Sequence, residues 1–202
     1  MARYVFFSFA YDDVKNFKVN IVRQSWLLQN RGETFVDGSI WESAKTNDED
    51  QIKDLISWGL QGTSVTVILI GQKTSNRRWI NYEIVKSFDK GNGILAIHIN
   101  RIKGTTGLTA RGKNPLDRLG LQISEDGRKI HFYELVDGQW YEYDDLPVIN
   151  NKLSNTVYFD DRKIFGDFFL FSNLFPTACW DKDGGYQNFA GWVEYGAQQA
   201  GR

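Results

Sequence analysis

The run SVTVILIG at residues 64–71 restricts this chain more than any other stretch, because it is uncharged and dominated by branched aliphatic residues. A strand that is apolar on both faces has to be covered on both, so it belongs in the interior of a sheet with helices above and below. That is the layering of α/β proteins built on a mainly parallel sheet.

The neighbouring sequence supplies the other layers. RYVFFSF, residues 3–9, is a short aromatic and β-branched strand ending at AYDD, and VKNFKVNIVRQSWLLQ then carries apolar residues at helical spacing. TFVDG at 34–38 is a second strand closed by Asp-Gly, and DEDQIKDLISWGL brings Ile52, Leu55, Ile56 and Leu60 onto one helical face. After the third strand, QKTSN offers capping residues to a helix that opens SNRRWINYEIVKS, residues 75–87, with Ile80, Ile84, Val85 and Phe88 as its apolar stripe. GILAIHI at 93–99 is the fourth strand. Strands alternating with helices predict a parallel sheet flanked by helices, with the first four strands in the common order 2-1-3-4.

The second half has a different character. GTTGLTARGKN at 104–114 reads as a loop, and KIHFYEL and QWYEYD flank an Asp137-Gly138 turn as a β-hairpin. Between Tyr158 and Tyr195 lie twelve of the thirty aromatic residues, and Tyr186, Phe189, Ala190 and Val193 give a last helix an apolar face. This tail is expected to fold back onto the core, with an exposed partner-binding surface as the alternative. A chain of 202 residues suits one substantial core better than two independent ones.

Composition removes several classes of function. The 24 basic and 25 acidic residues nearly cancel and no basic run exceeds two, which argues against nucleic acid and against an anionic membrane surface as partners. Cys179 is the single cysteine, so no internal disulfide forms, and with His98 and His131 far apart no metal site is expected. The N-terminal apolar run is short and soon followed by acids, and no window spans a bilayer, so a cytoplasmic location is expected.

In an open doubly wound sheet, ligands bind beyond the carboxyl ends of the strands where strand order reverses, here between strands one and three. The loops SFAYDD and GQKTSNRRW border that crevice. Trp79 and Glu83 are four residues apart, about 40° on the helical wheel, on a flank of the helix facing it. Arg77 and Arg78, at the helix start, are placed to meet phosphates. The plainer reading makes Glu83 a solvated face residue and Trp79 a packing residue. Tyr11, Asp12 and Asp13 would likewise form a loop and helix cap, and Trp41 and Glu42 would anchor the loop after strand two. Neither G-x-G-x-x-G nor G-x-x-x-x-G-K-[ST] occurs, so the commonest nucleotide fingerprints are absent.

The order VFFSF..DD, FVDGS, TSVTVILIG, TSNRRWINYE resembles a TIR domain, and especially the ThsB proteins of the bacterial Thoeris antiphage system. The most informative elements are Ser75, Trp79 and Glu83, as a serine followed by W-x-x-x-E, and the GNGILAIHI strand after them. The resemblance implies a flavodoxin-like fold with residues 1–100 as the TIR core. Residues 101–202 would be a family-specific extension of the same domain, since NPLDRLG, the hairpin and DGGYQNFAGWV continue the likeness.

The resemblance also implies an activity, cleavage of NAD at its nicotinamide glycosidic bond. Glu83 would be the catalytic residue and Trp79 part of the ring-stacking wall, with Ser75 and Arg78 beside them. Phe9, Tyr11, Asp37 and Trp41 are substrate-contact candidates by position. NAD would be substrate rather than cofactor, and the product an ADP-ribose-derived messenger, a cyclic isomer if an adenosine-side group is the nucleophile. The resemblance further implies a phage-derived trigger, a separate ThsA-type effector that senses the messenger, and self-assembly in which the loop DGSIWESAKTNDED crosses to a neighbour. The alternative from another class is a non-enzymatic TIR scaffold that acts through protein contacts.

Overall fold

Strand and helix alternate as the hydrophobic pattern requires. In the computed structural model, which describes residues 3–29, 35–38, 48–105, 107–152, 158 and 165–202, the first half of the chain forms β1 (Val5–Phe9), α1 (Tyr11–Lys15), α2 (Lys18–Gln29), β2 (Phe35–Asp37), α3 (Glu49–Gly59), β3 (Val65–Ile70), α4 (Arg78–Lys90) and β4 (Gly93–His98). The second half forms β5 (Leu119–Ile123), β6 (Lys129–Val136), β7 (Gln139–Glu142), β8 (Val148–Asn150), β9 (Phe168–Leu170), α5 (Phe171–Leu174), β10 (Thr177–Cys179) and α6 (Gly185–Gln199).

The first sheet runs β10-β4-β3-β1-β2, and all its pairings are parallel. The expected order of the first four strands is therefore the one that forms, and β10 adds an edge strand from the far end of the sequence. β3 is buried along its whole length, as its composition demands. Alternate residues of each strand serve opposite faces. Val5, Phe7 and Phe9 of β1 join Val19, Val22 and Trp26 of α2 and Phe189, Val193 and Ala197 of α6 on one side. Phe6 joins Ile52 and Ile56 of α3 and Ile80, Ile84, Val85 and Phe88 of α4 on the other.

The second sheet, β7-β6-β5-β9 with β8 also on β6, is antiparallel. Its hairpin turns at Asp137 and Gly138, whose φ of 50° and 84° are the two positive angles of a type I′ turn. Leu121, Ile123, Ile130 and Phe132 of its inner face belong to the same apolar cluster as α3 and α4. Phe88 is the centre of that contact, with ring centroids 5.7 Å from Phe132, 5.7 Å from Phe171 and 6.0 Å from Phe175.

The aromatic tail is thus divided. Phe171, Phe175, Trp180 and Phe189 complete the core, while Phe165, Phe168, Tyr186 and Tyr195 are exposed. Tyr186 does not join the apolar face of α6 as the spacing suggests; it lies edge-on to Trp180 at 5.3 Å, and Gly196 and Ala197 are buried further along instead.

Truncating Phe88 removes the ring that joins the two sheets. Phe88→Ala is expected to lower stability by about 3–5 kcal/mol, read from urea unfolding. A loss under about 1 kcal/mol would mean that the sheets are held together elsewhere.

Candidate active site

A carboxylate lies over the carboxyl ends of β1 and β2. Ser8, the single hydroxyl in VFFSF, points by strand alternation to the α4 side of the sheet, and its Oγ donates to Glu83 Oε2 at 2.5 Å. Gly38 follows β2 and continues its pairing, with its N–H donating to Phe7 O at 2.6 Å. A Cβ at Gly38 would stand 2.9 Å from Glu83 Oε1 and 2.7 Å from Phe7 O, so only glycine lets the end of β2 lie this close to the carboxylate. The wheel put Glu83 on a rim. It is instead 1% exposed, with Ser8 and the Gly38 backbone packed against it.

The helical turn that carries Glu83 is fixed from beneath. Ser87 Oγ donates to the Glu83 carbonyl at 2.6 Å, Thr66 Oγ1 donates to Ser87 Oγ at 2.7 Å, and Asn92 Nδ2 reaches Thr66 Oγ1 at 3.3 Å. This buried column runs between α4 and β3, and each hydroxyl both accepts and donates along it. Ahead of the helix, Thr74 Oγ1 accepts from the Gly71 N–H at 2.9 Å and pins the loop after β3.

The other candidate residues fall into separate groups. Phe9 is buried on the opposite face of the sheet, where the Arg23 guanidinium covers its ring at 4.8 Å. The same guanidinium pairs with Asp37 at 2.6 Å, and burial pushes the Asp37 carboxyl up against the pull of that ion pair. Tyr11 is exposed at the start of α1, with Lys15 Nζ 5.2 Å from its ring centroid. Ser75 is buried in a short 3₁₀ turn, its Oγ 3.4 Å from Asn76 Oδ1. Trp41 lies outside the described residues.

Arg78 is engaged by two carboxylates. It binds Asp145 through Nε and Nη2, each at 2.9 Å, and also binds Glu49, while Lys53 reaches Asp145 at 2.8 Å. Glu49 and Asp145 are both held below the usual carboxylate range by hydrogen bonding to Arg78. The guanidinium also lies over the Trp79 ring at 4.8 Å, and Trp79 meets Tyr82 edge-on at 6.1 Å. The contacts of Trp79 thus include α4 residues and the arginine that ties α4 to α3 and the second sheet. Arg77 is 3.6 Å from Asp12, and Lys73 is 3.5 Å from it, so ion pairs cross from the loop after β1 to the loop after β3. All three groups are well exposed, and these pairs add little stability.

Residues that the sequence pattern did not single out complete the picture. Ser8 and Gly38 had visible signals, a lone hydroxyl in an apolar strand and a glycine ending the next one. Arg23 and the burial of Asp13 had none. Asp13 does not cap a helix: Ala10 holds the N-cap of α1 without a side-chain bond, and Asp13 is 5% exposed against Gly71, where a Cβ would fall 1.9 Å from Oδ2. Burial raises its pKa to about 6, against the opposing field of Lys18. Among the described residues no group of three or more His, Cys, Asp or Glu side chains gathers to hold a metal, and no helix is long and apolar enough to cross a membrane.

Two comparisons with known proteins bear on the family of the chain. Residues 6–103 match the family described as Thoeris protein ThsB, TIR-like domain. A Bacillus cereus (strain MSX-D12) protein named "Putative cyclic ADP-D-ribose synthase ThsB1" is 44% identical over 197 residues, spanning 96% of this chain and 100% of that protein.

Asp13 makes stability depend on pH in a defined direction. Its folded pKa of about 6 exceeds the unfolded value near 4, so the folded state binds the proton more tightly. The stabilisation is present in full below about pH 4 and is lost as pH rises through about 6. Asp13→Asn should therefore be more stable than the parent at pH 8, by on the order of 1–3 kcal/mol, with the difference shrinking toward pH 4. Urea unfolding at both pH values measures it, and an equal difference at both would contradict the assignment.

Proposed function

The chain belongs to the Thoeris ThsB TIR-like family, and we propose that it cleaves the nicotinamide glycosidic bond of NAD and closes the ADP-ribose into a cyclic isomer. The observation that carries this reading is the carboxylate of Glu83, buried over the carboxyl ends of β1 and β2 in a parallel sheet, with Ser8 and Gly38 against it. Kinship with a protein named as a cyclic ADP-D-ribose synthase supports the product class.

The chemistry suits one carboxylate. Nicotinamide in NAD is bonded through a quaternised ring nitrogen and departs as a neutral base, so the general acid of an ordinary glycosidase is not needed. As the bond breaks, positive charge develops on the ribose. Glu83 stabilises that charge through the ribose hydroxyls, or takes the proton of the incoming nucleophile. An adenosine-side nucleophile forms the new bond to the anomeric carbon, loses its proton and gives the cyclic product, whereas water would give ADP-ribose. Holding that group near the anomeric carbon is a matter of positioning, which is worth several kcal/mol.

In this reading NAD is substrate, and no separate cofactor takes part. Trp79, Ser75, Phe9, Tyr11, Asp37, Trp41 and Arg78 remain candidates for substrate contact, directly or by shaping the wall, and the work is cytoplasmic, where NAD is at hand. A phage-derived trigger, activation by self-assembly and a ThsA-type effector that senses the messenger complete the proposal, and membership of a Thoeris family is what supports them.

Mass spectrometry of the products made from NAD by the assembled protein tests the enzyme class. Glu83→Gln keeps an acceptor for Ser8 and should reduce product by at least about 100-fold while the fold survives. Full messenger production by Glu83→Gln would transfer the assignment to another residue, and unchanged phage defence without any turnover would favour a scaffold. Ser8→Ala is expected to lower kcat about tenfold with less effect on KM, by releasing one carboxylate oxygen. Gly38→Ala should be at least as damaging, since its methyl group has no room.

A further inference from the structure

A second set of polar side chains gathers beyond the carboxyl ends of β4 and β10, beside the crevice and separate from Glu83. His98, the last residue of β4, is 3% exposed, and its Nδ1 has no hydrogen-bond partner among the described residues. Buried polar atoms are rarely left so. His98 lines a depression of about 510 Å³ together with Arg111, Lys113, Asn114, Asp117 and Thr177.

The donors there outnumber the acceptors. Arg111 and Lys113 are exposed and form no ion pair among the described residues. Asn114 Nδ2 donates to Thr177 Oγ1 at 3.1 Å, which leaves the threonine proton to be given elsewhere. Burial and then Arg111 hold the His98 pKa down to about 4, with Asp117 pulling the other way, so the imidazole is neutral at pH 7 and one of its nitrogens carries a proton to donate. Two cations, a hydroxyl and an imidazole N–H, against the one carboxylate of Asp117, leave the space with a net excess of donors that complements an anionic oxygen cluster.

The depression also touches the crevice through backbone. Gly112, between the two cations, sits so close to the end of β3 that a Cβ there would be 1.8 Å from Gly71 O. Gly71 in turn lies against the Asp13 carboxylate. A ligand that draws on Arg111 and Lys113 is therefore one peptide contact away from the switch point.

We propose that this depression binds a phosphate-type oxyanion, held by Arg111, Lys113, His98 and Thr177. Free phosphate and the phosphate of a nucleotide offer the same chemistry. The binding does not require Glu83, so it is tested apart from turnover.

The chain has two histidines, which makes imidazole NMR a direct readout. Inorganic phosphate is titrated into the full chain at pH 7.5 and constant ionic strength, with chloride as the control salt. His98 resonances should shift saturably, while His131, on β6 beside Glu142 at 3.3 Å, stays in place as the internal reference. The double variant Arg111→Gln/Lys113→Gln alters two exposed side chains and should weaken the response by at least about tenfold. A second titration with ADP-ribose distinguishes the sources: a shift at lower concentration than phosphate, competed by phosphate, identifies a nucleotide ligand, and a response to inorganic phosphate alone identifies the free ion. An unmoved His98, an undiminished response in the double variant, or parallel movement of His131 would overturn the proposal.

Discussion

Helix α4 is buried on two sides, and the geometry at Glu83 depends on that confinement. Ile80, Ile84 and Val85 pack toward the parallel sheet, while Phe88 meets the rings of the second sheet and its following helix. Polar contacts at the same interface act as stops. Asn81 Nδ2 donates to Glu134 Oε1 at 2.7 Å, and Arg78 clasps Asp145. A helix held in this way cannot rotate without breaking contacts on both sides, so the Ser8 contact to Glu83 is set by packing and not by the carboxylate's own preference. A buried ionisable group is tolerable only where its surroundings are arranged for it.

This division of labour assigns a structural role to the second half of the chain. The match to the ThsB TIR-like family covers residues 6–103, yet contacts that confine α4 also come from β5, β6 and the segment around Asp145. Arg78 illustrates the point. At the first position of a helix beside a crevice it invites a phosphate-binding reading, whereas its actual partners are the carboxylates of Glu49 and Asp145. Both are far away in sequence, so nothing local to the helix announces them.

The layering was legible because the signals were local. SVTVILIG must be covered on both faces, FVDG ends a strand, and Asp137-Gly138 turns a hairpin. The order of the first four strands was legible too, since strands alternating with helices favour it. What escaped the sequence were relations between faces. Phe9 and Ser8 are adjacent, yet alternation sends Phe9 to Arg23 and Ser8 to Glu83, and a list of residues near a strand end does not separate the two. Asp13 looked like a cap because acids commonly are; it is instead buried against Gly71, 58 residues on.

The pairing of β10 with β4 has a consequence for how such a protein is handled in pieces. Thr177, Ala178 and Cys179 occupy the edge of β4, and α6 covers the same flank, its Glu194 bonded to Arg3 at 2.7 Å. Removing the C-terminal segment would leave the outer backbone edge of Ala96–His98 without its partner strand, a ready template for another chain. The fragment matching the family would then carry its own seed for clumping, and filaments grown from it would report a bare strand edge, not signalling assembly.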